Sequence, residues 1–322
     1  MSDVTDPGAV DETAAWYARV AGESDGLYAE WASGAADDAD LLARIASLPR
    51  AQRQPHLLFA VTRLSGAPEE PFAVWRSWVL ANWQAVAAAS AGRMVQTNEP
   101  ARCAALLPAL GLLDGPLALL EVGASAGLCL YADRYSYRYT RAADPREERR
   151  VDPADGVSAV VLEALVSGEM PVPRMPDIRW RAGIDLAPLD VTSETDLAWL
   201  DVLVPPEQSV RRDRARAAAR IASADPPVLV RGDASELATL AALVSTDATL
   251  VIMTVGTVVY LPLAERQRFA ASVRELGAHW LSLERSGLVD LAPATAPNAF
   301  VLGLDGRALA TVSPHGEHLT WL

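Results

Sequence analysis

Residues 117–127 read LALLEVGASAG, an apolar run followed by a run of small residues. Leu117 to Val122 is short and, apart from Glu121, continuously apolar, which predicts a buried β-strand. Gly123 to Gly127 contains only small side chains, and Leu128 to Arg134 then predicts a helix. Strand, glycine turn and helix in this order predict the opening unit of an α/β domain with a parallel sheet.

Further strands and helices alternate after this unit at the separations that a parallel sheet needs. The predicted strands are Ile178–Ile184, Val228–Val230, Leu250–Thr254 and His279–Leu283, and the predicted helices are Glu207–Ser223, Ser235–Val244 and Ala264–Leu276. Phe300–Leu304 and Ala308–Val312, joined through Asp305-Gly306, have the pattern of an antiparallel hairpin. We predict an α/β fold with a Rossmann-like, doubly wound, mostly parallel sheet and a closing antiparallel hairpin.

The residues before this sheet have helical spacing from Asp11 to about Leu110, with prolines between the segments. We therefore predict an all-α N-terminal domain, a cap, at 1–115 and the sheet domain at 116–322.

The segment from Tyr135 to Pro176 is too long for a plain connection between two elements. Its tyrosines alternate with other residues at positions 135, 137 and 139, which is typical of a strand. We predict an inserted hairpin or lid at about 136–176.

All 28 basic residues among the 322 are arginines, and lysine is absent. Schiff-base chemistry and a lysine-bearing phosphate loop are thereby excluded. Two cysteines and four scattered histidines supply neither a disulfide framework nor the paired spacing of a zinc site, so we expect no metal.

The formal net charge of −13 argues against nucleic acid and against an anionic membrane surface as partners. A small-molecule substrate fits this charge better. The sequence has no basic-then-apolar leader and no apolar run of about 18 residues, so we expect a soluble, cytoplasmic protein. A homo-oligomer or hetero-oligomer stays open.

The small residues from Gly123 to Gly127 also have the pattern of a nucleoside-binding turn. Small side chains let backbone amides approach a ligand, and the start of a helix adds positive potential. A tight strand-to-helix turn needs small residues for steric reasons as well. Because Glu121 stands at the strand end before the first glycine, the string resembles the first motif of Rossmann-like S-adenosylmethionine-dependent methyltransferases.

This resemblance implies a role for each motif that follows. Glu121, Gly123 and Gly127, with Ser125 in the same turn, would hold the methionine end of S-adenosylmethionine. Asp185 would hold the ribose hydroxyls, and Asp233, between Gly232 and Ala234, would accept a hydrogen bond from the adenine amine. Thr254 and Tyr260, at the end of the fourth predicted strand, would line the methyl-transfer pocket. A lone Gly-Asp pair is also a common turn.

Three longer strings resemble a bacterial domain-of-unknown-function family, number 2332, over nearly the whole chain. They are residues 96–108, 120–128 and 180–186. The resemblance implies a methyltransferase-like fold and supplies no substrate. This sequence has Cys129 where the family usually has Asn, and Thr254 where it has His, which leaves specialised chemistry on the same scaffold open.

Thr97, Asn98, Glu99 and Arg102 lie just before the first predicted strand, close in sequence to the glycine turn. In one interpretation they cap the pocket, with Thr97, Asn98 and Arg102 contacting substrate. In the other, Thr97 or Asn98 caps a helix and Glu99 complements its dipole. Glu99, Thr254 and Tyr260 are the candidates for orienting the acceptor or taking its proton.

Five arginines follow one another closely in the first helix after the second predicted strand. A solvated helix face near Glu207 and Asp213 is the favoured interpretation, and an anionic-substrate patch is the alternative. The five are Arg211, Arg212, Arg214, Arg216 and Arg220.

The Gly-x-Ser-x-Gly string also fits the nucleophile elbow of a hydrolase. Ser125 would then attack, followed in the chain by Asp247 or Asp290 and by His315 or His318. An elbow of this kind follows several strand and helix units, whereas everything before the first strand is predicted to be helical.

Together these patterns favour an S-adenosylmethionine-dependent, methyltransferase-like enzyme that acts on a small molecule, in keeping with specialised metabolism. Two further hypotheses retain the fold. In one, the enzyme performs another displacement or an intramolecular ring closure. In the other, the chain is a non-catalytic binding partner of another subunit.

Overall fold

The computed structural model describes residues 7–244, 247–293, 297 and 299–322. Within these residues the chain is a mixed α/β protein with eleven α-helices and one eleven-stranded, mostly parallel sheet. It divides into two compact units, one made of Met1–Thr97 with Ser193–Asp213 and one made of Asn98–Thr192 with Arg214–Leu322.

The helices and strands are numbered in chain order. The helices are α1 (Pro7–Glu23), α2 (Gly26–Ala36), α3 (Ala39–Ala46), α4 (Pro55–Leu64), α5 (Phe72–Ala81), α6 (Trp83–Ser90), α7 (Cys103–Leu110), α8 (Glu194–Val202), α9 (Ser209–Ala224), α10 (Leu237–Ala241) and α11 (Leu263–Glu275). The strands are β1 (Leu117–Val122), β2 (Ser136–Arg141), β3 (Asp144–Val151), β4 (Val161–Ser167), β5 (Ile178–Asp185), β6 (Val228–Arg231), β7 (Thr249–Val255), β8 (His279–Arg285), β9 (Phe300–Leu304), β10 (Arg307–Val312) and β11 (His318–Trp321). Among the helices of the described ranges, none has the length and apolar character needed to cross a membrane.

An aromatic core holds the helical unit together. Trp31 of α2 and Trp75 of α5 are fully buried and stack with ring centroids 4.9 Å apart and planes 12° from parallel. The Trp31 indole donates to the Glu70 carbonyl at 2.9 Å, and the Trp75 indole donates to the Thr62 hydroxyl at 3.1 Å. Both buried N–H groups therefore have partners, as large aromatic residues in a core require.

Helix α8 belongs to this helical unit although it follows β5 in the chain, and the sequence did not predict it. The buried Arg63 of α4 donates from Nη1 to the carbonyls of Val202 at 2.8 Å and Val204 at 2.7 Å. These are carbonyls at the C-terminal end of α8, which lack partners within the helix. A cation at a helix C-terminus is also favoured by the helix dipole.

The sheet has the order β3-β2-β4-β11-β10-β9-β8-β7-β1-β5-β6. Strands β6, β5, β1, β7 and β8 run parallel, with β1 between β5 and β7. All seven strands that the sequence predicts are present. Strands β9 and β10 form the predicted antiparallel hairpin, whose turn residues Asp305 and Gly306 both have positive φ, at 52° and 82°.

The predicted helix Leu128–Arg134 is wrong, because the structure has only a short 3-10 turn at Leu128–Tyr131 before β2. Side chains take the carbonyls that a continuing helix would use. The hydroxyl of Tyr135 donates to the Leu128 carbonyl at 2.7 Å, and that of Tyr137 donates to the Ala132 carbonyl at 2.5 Å. Tertiary hydrogen bonds thus override the local helical pattern.

The inserted segment joins the sheet and is not a separate lid. Strands β2 and β3 form an antiparallel hairpin, as one of the two interpretations of 136–176 predicts. Strand β4 then runs parallel to β2 on one side and to β11 on the other. Strand β11, at the end of the chain, was not predicted and connects the insertion to the closing hairpin.

Helix α7 is buried along its whole length and packs against β4, β8 and β9. A helix that is apolar on all sides belongs in the interior of a fold. The Tyr139 hydroxyl of β2 donates to the Ala104 carbonyl of α7 at 2.9 Å. Because α7 begins at Cys103, its burial determines where the preceding residues 98–102 lie.

A substitution at Gly183 tests how closely β5 approaches the glycine turn. A Cβ at Gly183 would overlap the Ala124 Cβ and lie 2.8 Å from Leu229 Cδ2. We expect Gly183→Ala to lower the free energy of unfolding by about 1–3 kcal/mol, measured by thermal or urea denaturation. Gly22→Ala, in α1 with nothing within 4 Å, is the control and should stabilise by about 0.5–1 kcal/mol. Equal stability of wild type and Gly183→Ala would contradict the close approach.

Candidate functional site

The candidate site lies at the carboxyl ends of the parallel strands. Strand β1 has β5 on one side and β7 on the other. Strands β5 and β6 extend the sheet on one side of β1, and β7 and β8 extend it on the other. In open α/β sheets, ligands bind outside the carboxyl ends of the strands at this kind of switch point. The turn 123–127 follows β1 directly, so it lies at that position.

The turn 123–127 is held by hydrogen bonds from every one of its amides. The amides of Gly123 and Ala124 donate to the Ile184 carbonyl at 2.8 and 3.2 Å, and that of Gly127 donates to the Ala124 carbonyl at 2.7 Å. The Ser125 amide donates to Asp185 Oδ2 at 2.8 Å. The sequence predicts amides that approach a ligand, but here all five are engaged within the protein.

Positive φ angles explain the small residues of the turn. Gly123 and Gly127 have φ of 77° and 71°, and Ser125 has φ of 51°, which is uncommon for a residue with a side chain. A Cβ at Gly123 would overlap the Thr257 side chain of the loop after β7. Gly123 is thus required by the close approach of two loops at this edge, and Gly127 is required by its positive φ.

Asp185 ends β5 and orders the loops on both sides of it. Its Oδ2 accepts from the Ser125 amide and its Oδ1 from the Ala187 amide, both at 2.8 Å. Its backbone carbonyl accepts from the Gly232 amide at 3.0 Å. The predicted ribose-binding residue is therefore a buried carboxylate that also fixes the glycine turn.

Asn98 packs against the same turn. Its side-chain amide donates to the Ser125 hydroxyl, and its Oδ1 accepts from the Ala126 amide at 2.9 Å. Thr97, which the sequence groups with Asn98, is exposed. The structure places Asn98, and not Thr97, among the residues of the glycine turn.

Glu99 is buried and combines a capping role with an ion pair. Its Oε1 accepts from the Ala101 amide at 3.1 Å, which caps the 3-10 turn Pro100–Arg102. The same oxygen accepts from Arg214 Nη1 at 2.9 Å. Arg214 is one of the five arginines predicted to form a solvated face, so the structure differs from that prediction at this position.

Glu121 is the least satisfied polar group at the site. Its side chain is 3% exposed, and its Oε2 is buried with no hydrogen-bond partner among the described residues. Burial raises the pKa of Glu121 well above its ordinary value, and the Cys129 and Asp185 side chains raise it further. The Arg102 guanidinium opposes this rise. The neutral carboxyl is thereby favoured.

Two further groups line the edge beside β7. The Thr254 hydroxyl is buried and accepts from the Trp280 indole at 3.1 Å. Glu284, at the end of β8, accepts from the amides of Thr257 at 2.9 Å and Val258 at 3.0 Å. Burial raises the pKa of Glu284, against the lowering effect of these two amides. Glu284 therefore orders the loop that follows β7.

Sequence reasoning missed Glu284, and it missed the pairing of Arg214 with Glu99. Glu284 ends an apolar strand in the same way as Glu121 does, and this pattern could have identified it. Arg214 gave no comparable indication, because its partner Glu99 is remote in sequence.

The remaining predicted residues lie at the exposed margin. Asp233 is exposed, and its side chain accepts from the Ser235 amide at 2.8 Å. This bond caps the turn after β6 and lowers the pKa of Asp233. Gly232 and Ala234 are its half-buried neighbours. Tyr260 is 79% exposed.

The two cysteines lie behind the glycine turn. Both are buried and free. The Cys103 thiol lies 3.5 Å from the Cys129 carbonyl, and the Cys129 thiol lies 3.7 Å from the Glu99 carbonyl. The neighbouring Cys103 side chain lowers the pKa of the Cys129 thiol. In the part of the chain that the structure describes, no group of three metal-ligating side chains forms a metal centre.

Residues 11–321 match the model of a protein family, DUF2332, described as an uncharacterized protein conserved in bacteria. The chain belongs to this family. This match confirms the resemblance to the family that the strings at residues 96–108, 120–128 and 180–186 indicate. No curated protein matches the sequence.

The protonation of Glu121 has a consequence for stability. Because the folded state raises the pKa of Glu121, folding binds a proton, and stability falls as pH rises above the ordinary glutamate range. Glu121→Gln keeps the size and stays neutral. We expect its melting temperature to exceed that of wild type by more at about pH 8 than at about pH 5.

Calorimetry at the two pH values measures this difference. Glu163→Gln, at an exposed position of β4, is the control and should show the same small effect at both. An effect of Glu121→Gln that does not change with pH would show that Glu121 is ionised in the folded protein.

Proposed function

We propose that this chain is an S-adenosylmethionine-binding, methyltransferase-like enzyme that acts on a small molecule. The observation that carries the proposal is Glu121, a buried carboxyl with an unpartnered Oε2 at the end of the central strand. An orphaned buried oxygen is costly to the fold unless a ligand satisfies it. A cationic amine is the kind of group that it would accept.

The order of the parallel strands supports the proposal. Numbered within the parallel set alone, β6-β5-β1-β7-β8 is the order 3-2-1-4-5, which is typical of Rossmann-like sheets. The antiparallel strands β9 and β10 follow at the β8 side. The proposed pocket is at the switch point of this order, where such sheets bind nucleosides.

The hydrogen bonds of the glycine turn favour a nucleoside without phosphates. Dinucleotide-binding turns offer free amides to a pyrophosphate. Here the amides of residues 123–127 are all engaged by the protein. S-adenosylmethionine combines adenosine with an amino-acid end and has no phosphate, so these amides would have no pyrophosphate to hold.

The residues present fit this cofactor as follows. Glu121, beside Gly123, Ser125 and Gly127, would hold the amine of the methionine end. Asp185 would take the ribose, since a carboxylate has up to four acceptor positions. Asp233, with Gly232 and Ala234, would meet the adenine at the margin. The bound cofactor would supply an electrophilic methyl group on a sulfonium.

The chain itself would act mainly by alignment of the acceptor, which is a positional contribution to the rate. Thr254 is held by Trp280, and the loop after β7 is held by Glu284, so this side of the pocket is ordered. Tyr260 lies at the exposed end of that loop. Glu99 is paired with Arg214 and therefore positions its neighbours more than it moves protons.

A hydrolase based on Ser125 has less support. Its hydroxyl accepts from the Asn98 amide, and in the described ranges no histidine contacts it to take its proton. The positive φ of Ser125 resembles a strained elbow, but the turn continues into a 3-10 turn and not a helix. Another displacement, a ring closure or a purely binding role would use the same pocket.

Isothermal titration with S-adenosylmethionine and S-adenosylhomocysteine tests the proposal. We expect both to bind, and Glu121→Ala to weaken binding about tenfold to a hundredfold, since a hydrogen bond to a charged group is lost. Asp185→Ala should weaken it too, with a loss of stability because the Ser125 amide loses its acceptor. Glu163→Gln is the control and should bind as wild type does.

Proton release sharpens this test. A cation placed beside Glu121 lowers its pKa, so binding should release a proton, seen as a dependence of the binding heat on buffer ionisation enthalpy. Glu121→Gln should abolish that dependence. If the intact protein binds neither S-adenosylmethionine nor S-adenosylhomocysteine, the methyltransferase proposal is wrong. Products one methyl group heavier than the acceptor would separate methyl transfer from the other displacements.

A further inference from the structure

Arg102 is a buried cation without a matching anion. The residue is 7% exposed. Its Nε donates to the Pro314 carbonyl and its Nη1 to the Val255 carbonyl, both at 3.1 Å. It forms no ion pair with any carboxylate of the described residues. Two carbonyls occupy two of its five N–H donors. A buried charge with only neutral partners is costly, which favours the binding of an anion there.

Two glycines lie next to Arg102, and at one of them a side chain would cover the guanidinium. Gly256, in the loop after β7, has φ of 77°, and a Cβ there would lie 3.2 Å from Arg102 Nη1 and 3.7 Å from Nη2. Gly316 lies on another side, where a Cβ would overlap the Ala101 carbonyl. The Nη edge at Gly256 therefore faces backbone that carries no side chain.

Among the described residues, the acids near Arg102 form no ion pair with it. The carboxylate of Glu99 is paired with Arg214. Burial raises the pKa of both Glu121 and Glu284, and the Arg102 guanidinium opposes the rise at each of them. Helix α7 begins at the next residue, so the positive end of its dipole lies here as well.

We propose that Arg102 binds a carboxylate group of the acceptor, so that the substrate class is small carboxylic acids. That the ligand is an acceptor rests on the proposed function. Arg102 reaches the end of β7, where the loop held by Glu284 begins. A guanidinium presents parallel N–H donors that match the two oxygens of a carboxylate.

Matched acids and amides test this charge preference on the full chain. The probes are acetate with acetamide and benzoate with benzamide, added in the presence of S-adenosylhomocysteine. We expect the acids to raise the melting temperature through binding to the folded state and the amides to leave it unchanged. Equal shifts from an acid and its amide would overturn the proposal.

Three variants assign the effect to Arg102. Arg102→Gln should weaken acid binding about tenfold to a hundredfold, and Arg102→Lys, which keeps the charge, should retain part of it. Arg266→Gln is the matched control, because Arg266 Nε also donates to two carbonyls, those of Val258 at 3.1 Å and Leu261 at 2.7 Å. Acid binding by Arg102→Gln at wild-type strength would overturn the proposal.

A second arm identifies the source of the carboxylate. S-adenosylhomocysteine has an amino-acid carboxylate, and 5′-methylthioadenosine lacks it. If Arg102→Gln weakens only S-adenosylhomocysteine and leaves the acids unaffected, the carboxylate is the cofactor's and the acceptor assignment is wrong. If Arg102→Gln abolishes binding of the acids and leaves the affinity for both nucleosides unchanged, the acceptor assignment stands.

The two proposals fail in different ways. Acid binding that depends on Arg102 in a protein that does not bind S-adenosylhomocysteine would refute the methyltransferase function and keep the carboxylate site. Binding of S-adenosylhomocysteine without any acid-dependent shift in melting temperature would refute the carboxylate site and keep the methyltransferase function.

Discussion

The hydrogen bond from the Ser125 amide to Asp185 Oδ2 is the interaction on which the site depends. It joins the turn after β1 to the end of β5, and the Ile184 carbonyl, which accepts from Gly123 and Ala124, reinforces it. Because these bonds use the amides of the turn, the turn would contribute space and backbone direction, and not donors, to the proposed ligand. The polar chemistry of the proposed pocket would then fall to side chains, chiefly Glu121 and Arg102.

Environment gives the buried acids of this edge different states. Glu99 meets Arg214 and is stabilised as a carboxylate. Glu121 and Glu284 have similar burial without an arginine ion pair, so desolvation raises the pKa of each. In the proposed pocket, a buried guanidinium beside acids of raised pKa would discriminate ligands by charge. Arginine suits this position because it keeps its charge while donating in fixed directions to carbonyls.

The sequence predicts the strands well because each is a short apolar run that ends in a small or acidic residue. It fails where distant residues decide the local structure. Leu128–Tyr131 does not continue as a helix, since the hydroxyl of Tyr135 takes one of its carbonyls. Residue 214 has the pattern of a solvated face, yet its side chain reaches Glu99, 115 positions away in the chain. No local pattern records such a pairing, so these parts of the site need the fold.

Burial of α7 determines where the residues before it lie. A helix that is apolar all round must lie inside, and the turn that precedes it is then carried to the carboxyl edge of the sheet. Glu99 caps this turn, which is a structural role, and its charge is neutralised by Arg214. Arg102, three residues later on the same turn, receives no such partner within the described residues. One short segment thus supplies both the cap that holds the turn and the buried guanidinium to which we assign the carboxylate ligand.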